Sequence, residues 1–313
     1  MLKFKREFKF IKYRKICYLV SILIIVITIG GGLIQGFNFG IDFTGGTMIQ
    51  IDMKKQVSTE NVQTIAKSVG ITGDIVYAGE GNREIILRTT QSLTSADRIK
   101  FISALGKEYG TTNADVQAAE QFGPSVGSML EQNAIKAVII ATICMLIYIA
   151  IRFEWKFGLA AVAALAHDIL IVVGFYGLFQ IPINAPFIAS ILVILGYSMN
   201  DTIVIFDRIR ENLKIMKRTK LDELIDRSIN QSLARSIATS VATLLSIIVL
   251  YFMGSETIKQ FTLPLIVGIT VGTLSSILVA SPIWYEINMA LDKPKYKLDK
   301  PKSKNKYKSM QAR

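Results

Sequence analysis

Residues 185–206 read APFIASILVILGYSMNDTIVIF, an apolar run in which Asp201 is the one residue among Asp, Glu, Lys, Arg and His. A helix of roughly 20 apolar residues crosses the hydrocarbon core of a bilayer. The run is long enough for such a crossing, and its one carboxyl group would then lie inside the membrane. This stretch therefore predicts a membrane-spanning helix and supplies the first candidate functional residue.

Similar apolar runs lie on both sides of this stretch. They cover residues 16–34, 134–151, 158–179, 236–253 and 263–284, so the sequence predicts six membrane-spanning helices. The 313-residue chain is 51% apolar with a mean hydropathy of +0.41, which leaves too little polar sequence to cover a soluble protein of this size. No small-residue cleavage pattern follows the first run, so we interpret it as a retained helix and not as a signal peptide.

The segments between the runs differ in charge. Four of them hold 26 of the 36 Lys and Arg, and they are residues 1–15, 152–157, 207–235 and 285–313. The alternate loops hold nine Lys and Arg against twelve Asp and Glu, and they are residues 35–133, 180–184 and 254–262. Because basic loops stay on the cytoplasmic side of a cell membrane, both termini are predicted to be cytoplasmic and residues 35–133 extracytoplasmic. The net charge of +12 then reflects orientation, and no nucleic-acid partner is required.

Two cytoplasmic segments show apolar residues at helical spacing. Residues 1–15 carry Phe4, Phe8 and Ile11 on one face and Lys on another, which suits a basic amphipathic helix lying on membrane lipid. Residues 219–233 show the same pattern, with Thr219 as a candidate cap. A plain basic flank is the alternative for both segments. The Lys-rich segment 293–313 lacks apolar spacing and predicts a disordered basic tail.

The long loop 35–133 alternates between strand and helix patterns. Strands are predicted at residues 42–53, 74–78, 83–90 and 115–120, and helices at 58–69 and 94–109. A hairpin turn is predicted at residues 79–82, which read Gly-Glu-Gly-Asn. The order β-α-β-β-α-β is that of ferredoxin-like domains. The predicted fold class is therefore an α-helical polytopic membrane protein with six transmembrane helices and one extracytoplasmic ferredoxin-like α+β domain.

The sequence offers little of what an enzyme needs. The chain has one His, and it contains no HExxH, GxSxG or Walker A pattern, so no metal, cofactor or ATP site is predicted. The outer loop has no Cys, no His and no cluster of carboxylates, which favours a binding or packing module. We therefore do not expect an enzyme.

Carboxyl groups at membrane depth are the candidate proton relay. An ionised Asp at the bilayer centre costs at least about 2.5–3.5 kcal/mol, so the neutral acid is favoured and a proton can be bound and released. Asp201 is the main candidate, with Asn200, Ser198 and Thr202 as predicted hydrogen-bonding neighbours. A structural bond between helices, or a position at the cytoplasmic interface, is the alternative for Asp201.

Asp168 lies near the middle of the third run, beside the only histidine, His167. The sequence leaves open whether Asp168 belongs to the relay or is a structural partner. For His167 we favour orienting a neighbour over carrying protons. The fifth run carries a stripe of hydroxyl groups, and the sixth has a small-residue face at Gly268 and Gly272 followed by two serines. Close helix packing and a hydroxyl-lined ion path are both compatible with these patterns.

Motifs along the whole chain resemble the SecD/SecF family of bacterial protein-export subunits, and within it the SecF branch. The matching stretches are FGIDFTGGT (39–47), GPSVG (123–127), RFEWKFG (152–158), AHD (166–168), GYSMNDTIVIFDRIREN (196–212), SINQS (228–232) and RSIATS (235–240). The family belongs to the resistance-nodulation-division superfamily, and its fourth-span Asp corresponds to Asp201.

The resemblance implies a heterodimer with SecD that forms a twelve-span bundle. It also implies association with the SecYEG channel, often with YajC and YidC, and use of proton flow to help pull preproteins across the cytoplasmic membrane. The resemblance thus implies a transport subunit coupled to the proton-motive force. The family's outer ferredoxin-like domain corresponds to residues 39–122. Two alternatives remain open, namely an autonomous exporter of small molecules and a purely structural subunit of the translocon.

Overall fold

The computed structural model describes residues 8–78, 83–216 and 219–291. The predicted hairpin turn at 79–82, the first part of the basic segment 1–15 and the Lys-rich tail lie outside these residues. Within them, six helices are long and apolar enough to cross a membrane. They pack around one apolar core, while a small antiparallel sheet with two helices encloses a second core. The predicted fold class is confirmed.

The helices of the bundle are longer than the apolar runs that predict them. They are α1 (Phe10–Gln35), α5 (Pro124–Arg152), α6 (Trp155–Leu178), α7 (Ala185–Ile215) and α8 (Leu221–Met253), followed by α9 (Glu256–Ser275), a π-helical turn (Ser276–Ala280) and α10 (Ser281–Leu291), which together form the sixth span. Polar residues extend each helix beyond its apolar centre because backbone hydrogen bonding continues past the hydrocarbon region.

The predicted interfacial helix at residues 219–233 is instead the first half of α8, with Lys220 and not Thr219 at its N-cap. Its apolar face does not lie on lipid, because Leu224, Ile225 and Ile229 are buried in the bundle core. The described part of segment 1–15 also packs against the helical bundle, where it is bonded to α8. Helix α1 begins at Phe10, and Ile11 is 1% exposed. The prediction of headgroup-bound helices is therefore wrong for 219–233 and for residues 10–15.

Side chains of α8 anchor the start of α1. The Ile11 backbone N–H donates to the Asp226 carboxylate at 2.9 Å. The Asn230 amide both accepts from the Phe8 N–H at 3.0 Å and donates to the Phe8 carbonyl at 2.8 Å. Helix α1 has no side-chain cap of its own, so Asp226 satisfies one of the orphan N–H groups of its first turn.

The small α+β domain, which we call the outer domain after its predicted side of the membrane, contains β1 (Gly46–Asp52), α3 (Thr59–Ser68), β2 (Asp74–Ala78), β3 (Glu84–Thr89), α4 (Ser95–Tyr109) and β4 (Val116–Phe122). The sheet order is β2-β3-β1-β4, and every neighbouring pair is antiparallel. This element order and pairing are those of a ferredoxin-like domain. Helix α4 starts at a reciprocal capping box between Thr94 and Asp97, as its sequence favours.

The first predicted strand is wrong at its start. Residues Ile41–Thr44 form a short helix, α2, and β1 begins only at Gly46. Gly45 and Gly46 separate the two elements with φ of +76° and +142°, which L-residues with a side chain rarely adopt. A Cβ on Gly46 would also collide with the Thr89 backbone of β3. The paired glycines therefore bring the chain from the bundle into the sheet.

Candidate functional site

A layer of polar side chains lies inside the helical bundle, where α6, α7, α8 and α9 meet. Its two carboxyl groups, Asp168 on α6 and Asp201 on α7, are 0% and 3% exposed. The remaining members are hydroxyl groups from α7, α8 and the α9 region, and they are Ser198, Thr202, Ser240, Thr273, Ser275 and Ser276. We call these eight residues the polar layer.

Asp168 accepts hydrogen bonds from three directions. The hydroxyl groups of Ser198 and Ser275 donate to its Oδ2 at 2.6 and 2.9 Å. The His167 Nδ1 lies 3.0 Å from its Oδ1. These contacts join α6 to α7 and α9 through one carboxylate. The His167 Nε2 is buried and has no hydrogen-bond partner among the described residues, so the ring's recorded contact is with Asp168.

Asp201 is held more loosely. Its Oδ2 accepts from the Ser240 hydroxyl of α8 at 3.3 Å, a long bond for two oxygens. Ser240 in turn bonds Thr273 of α9 at 2.6 Å. The Tyr197 hydroxyl lies on the same side, 3.3 Å from Thr243. Asp201 therefore faces a small network of neutral hydroxyl groups that spans three helices.

The surroundings of the two carboxyl groups meet on one face of α7. Ser198 and Asp201 are three residues apart on α7 and share a face of that helix. The next residue on this face, Thr202, bonds Ser276 at 2.8 Å, and Ser276 also donates to the Ser198 carbonyl at 3.4 Å. Ser276 starts the π-helical turn, a local widening of the helix that is frequent at functional sites.

Helix packing explains why the layer is so compact. Gly272 of α9 lies against Ser198, and a Cβ there would come within 2.9 Å of the serine Cβ. One turn earlier, Gly268 lies against the Ile194 side chain. The two glycines let α9 approach α7 closely, so that short serine side chains can reach a carboxylate on α6.

The structure brings together five of the six predicted site residues. Asp201, Asp168, Ser198, Thr202 and His167 all lie in or beside the polar layer. The exception is Asn200, which is exposed on the outside of the bundle and makes no hydrogen bond to Asp201 among the described contacts. Neighbouring helical residues point about 100° apart, so the expectation that Asn200 supports Asp201 was wrong. Ser198 and Thr202 do lie in the layer, but their hydroxyls bond Asp168 and Ser276, so the predicted bonds from these two residues to Asp201 were also wrong.

Four hydroxyl groups of the layer were not among the predicted site residues, although the sequence shows their stripes. They are Ser240, Thr273, Ser275 and Ser276. Helical spacing reveals that Ser236 and Ser240 share a face, but it does not say which carboxyl group that face meets. Asp201 itself is buried near the middle of α7.

The layer is suited to binding and releasing protons. Hydroxyl groups donate to an ionised carboxylate and accept from a neutral acid, so they serve both protonation states. No Lys or Arg pairs with Asp168 or Asp201 in the described ranges, and His167 is the nearest group that can carry positive charge. Those ranges also hold no group of three metal-ligating side chains.

Comparison with known proteins identifies the family. The family described as protein export membrane protein SecD/SecF, C-terminal, matches residues 102–290, and the SecD/SecF GG motif matches residues 32–57. The protein translocase subunit SecF of Sebaldella termitidis is 39% identical over 92% of this chain and 94% of its own length. That of Haemophilus influenzae is 36% identical over 90% and 86%.

A solved structure shows the same fold. The crystal structure of SecDF, a translocon-associated membrane protein from Thermus thermophilus, aligns with a TM-score of 0.82 at 36% identity. The alignment covers 92% of this chain but only 40% of the SecDF chain. A SecDF crystal structure in a super-membrane-facing form aligns with a TM-score of 0.70 and 41% coverage of that chain. The protein therefore belongs to the SecD/SecF family of protein-export membrane proteins and is a multi-pass SecF-type translocase subunit.

Proposed function

We propose that the chain pairs with SecD and uses proton movement through the polar layer to drive protein export across the cytoplasmic membrane. The observation that carries this proposal is the buried pair Asp168 and Asp201, held by hydroxyl groups of α7, α8 and α9 without a Lys or Arg partner in the described ranges. Buried carboxyl groups are expensive to maintain, and inside membranes they mark ion pathways.

Asp201 is the group we expect to exchange the proton during transport. Its hydrogen bond from Ser240, at 3.3 Å, is longer than the bonds of 2.6 and 2.9 Å that Asp168 receives from serine hydroxyls, so it stabilises the ionised form less. A proton that crosses a membrane potential of about 100 mV releases roughly 2.3 kcal/mol. That energy is sufficient to shift a two-state equilibrium substantially if α7 is placed differently when Asp201 is neutral. Asp168 and His167 then act as the fixed part of the layer.

The partners and orientation belong to the same proposal. The SecDF chain of Thermus thermophilus is much longer than this protein, so its remaining part is the natural counterpart of a separate SecD subunit. The distribution of Lys and Arg supports cytoplasmic termini and an outer domain on the far side, where an emerging preprotein would meet it. The SecYEG channel, YajC and YidC are proposed as neighbours on family resemblance.

The test is Asp201→Asn, with Asp207→Asn as the matched control. Both substitutions remove one carboxylate from α7, but Asp207 is partly exposed and lies 3.7 Å from Arg152. In membrane vesicles that contain SecD and the channel, we expect Asp201→Asn to abolish the stimulation of export by a proton gradient. The Asp207→Asn control should keep most of the stimulation of export by the proton gradient.

Two other outcomes decide between the alternatives. An Asp201→Asn subunit that assembles with SecD and still supports full proton-driven export would refute the proposal. Reduced SecD co-purification with unchanged coupling per assembled complex would favour a purely structural subunit. Replacement of sodium by potassium at constant proton gradient distinguishes the ions, and we expect no loss of export.

A further inference from the structure

The segment that joins α1 to the outer domain, residues 36–46, is bonded to the outer end of α7. We call this segment the outer-domain root. The Gly40 N–H donates to the Ile183 carbonyl at 2.7 Å, and the Ile183 N–H donates to the Asn38 carbonyl at 2.8 Å. These bonds attach the root to residues 180–184, the loop immediately before α7.

The closest link to α7 itself is a side-chain contact. The Asp42 carboxylate accepts a hydrogen bond from the backbone N–H of Ala185 at 2.7 Å. Ala185 is the first residue of α7, whose polar face carries Ser198 and Asp201. An acidic group is favourable at a helix N-terminus because it faces the positive end of the helix dipole. Asp42, which supplies the accepting carboxylate, lies 143 residues before Ala185 in the sequence.

Further contacts hold the same junction in place. Asn184, the N-cap of α7, accepts from the Phe187 N–H at 3.1 Å and donates to the Gln260 side chain of α9 at 2.6 Å. On the other side of the root, Gly127 of α5 lies against the Phe43 carbonyl and leaves no space for a Cβ. The root is therefore confined between α5 and the first turn of α7.

The neighbouring part of the junction is open. A cavity of about 280 Å³ is lined by Arg88 of β3 and by Glu256 and Lys259 at the start of α9. The outer domain is thus hydrogen-bonded to the bundle at the root, whereas beside the root a cavity lies between charged side chains of the two parts, with Arg88 attracted to Glu256 and Asp42. A rotation of the outer domain that opens or closes this cavity would pivot close to Asp42.

We propose that Asp42 is a positioning residue that transmits displacement of α7 to the outer domain. The inference rests on the proposed function, because it names the contact through which a helix movement caused by protonation of Asp201 would reach the outer domain. The Asp42–Ala185 bond connects the helix that carries the relay to the root of the domain that would move. Helix α7 is continuous from Ala185 through Asp201, so a displacement of the helix at Asp201 can reach Ala185 and pass through the bond into the root.

The bond can be removed from either end. Asp42→Ala deletes the acceptor, and Ala185→Pro deletes the donor while Asp42 keeps its charge. Proline is tolerated at the first position of a helix, and Asn184 already has the extended backbone that a residue before proline requires. Asp42→Asn keeps an acceptor oxygen and serves as the rescue variant. Asp52→Ala is the control for loss of an outer-domain carboxylate, because Asp52 bonds only its own loop at Lys54 N–H among the described contacts.

The readout is the proton-dependent part of the export rate in vesicles, normalised to the amount of SecD-bound subunit. We expect each single variant to reduce it by about tenfold, the range set by loss of a charge-assisted hydrogen bond. The double variant should be no worse than Asp42→Ala alone, because both substitutions delete the same bond and only Asp42→Ala also removes a charge near Arg88. Asp42→Asn should recover most of the rate, and Asp52→Ala should retain it.

Additive effects of Asp42→Ala and Ala185→Pro would overturn the inference, and so would full proton-dependent export by Ala185→Pro. A purely structural role would instead lower the amount of assembled subunit and leave the normalised rate unchanged. Failure of the proposed function looks different, since Asp201→Asn would then retain proton-driven export. If Asp201→Asn loses coupling while the variants at 42 and 185 keep it, only the assignment of Asp42 is wrong.

Discussion

At the scale of single residues, the two buried carboxyl groups differ in how they are held. Asp168 receives two serine hydroxyl bonds shorter than 3 Å and a histidine contact, whereas the hydroxyl neighbours of Asp201 are Ser240, whose bond is 3.3 Å long, and Thr273. Hydrogen-bond donors stabilise the ionised form of a carboxyl group, and the shorter bonds from serine hydroxyls are those to Asp168. This contrast supports a division of labour in which Asp168 fixes the layer and Asp201 changes its protonation state.

A serine-to-alanine comparison tests whether the bond to Asp168 is structural. Ser198→Ala keeps the Cβ that packs on Gly272 but removes a donor from a fully buried carboxylate. We expect it to lower the free energy of unfolding by about 1 kcal/mol, the scale of interhelical hydrogen bonds in membrane proteins. Thermal unfolding in detergent measures the change. Ser246→Ala is the control, since Ser246 is exposed and bonds only the Ala242 carbonyl of its own helix.

At the scale of elements, small residues set the distances between helices. Gly174 and Gly177 of α6 pack against Thr28 and Gly32 of α1, while Gly272 of α9 packs against Ser198 of α7. A side chain at any of these glycines would meet backbone or a neighbouring Cβ. Lipid tails are as apolar as the helix surfaces, so the hydrophobic effect contributes little to helix association in a membrane. Close van der Waals contacts such as these therefore supply much of the packing energy. The bundle therefore depends on glycine as much as on apolar side chains.

Gly272→Ala should widen the α7–α9 interface at the polar layer. We expect a loss of about 1–3 kcal/mol in stability, the range for overpacked sites. The matched control is Gly196→Ala on α7, where a new Cβ meets nothing within 4 Å. That substitution should leave the melting temperature of the isolated chain unchanged or raise it slightly, because alanine favours the helix. Equal destabilisation by both variants would contradict the packing argument.

At the scale of the whole molecule, the protein has two cores in one chain, a helical bundle and an outer α+β domain. They are joined by the outer-domain root on one side and by the start of α5 on the other. The chain corresponds to 40% of the SecDF chain that it matches, which supports the proposal that a SecD subunit completes the assembly. The bundle and the outer domain of this chain would then form one subunit of a heterodimer with SecD.

Cysteine labelling tests the proposed orientation. In a variant with Cys17 and Cys144 replaced by Ala, single cysteines are introduced as Ser58→Cys in the outer domain and Arg227→Cys in α8. Both positions are exposed. A membrane-impermeant thiol reagent added to intact cells should label the first and spare the second until the membrane is opened. Labelling of residue 227 in intact cells would reverse the predicted topology.

Local pattern was sufficient for much of the fold. Apolar length predicts six spans, and strand and helix periodicity predicts the β-α-β-β-α-β order of the outer domain, both of which the structure confirms. The start of β1 was mispredicted: residues Ile41–Thr44 form a helix, and Asp42 within it contacts Ala185, which is 143 residues away and which no local pattern reveals. Residues 219–233 were mispredicted because an apolar helix face fits a protein core as well as a lipid surface.

The sequence by itself determined the membrane spans, the outer domain and the two carboxyl groups, because burial in lipid is decided by local composition and spacing. Only the tertiary structure decided which hydroxyl group meets which carboxylate and that Asn200 points away. The bonds from Ser198 and Ser275 to Asp168 join positions 30 and 107 residues apart. Helical periodicity gives the face on which a residue lies but not the helix opposite it, and that choice depends on packing of the whole bundle.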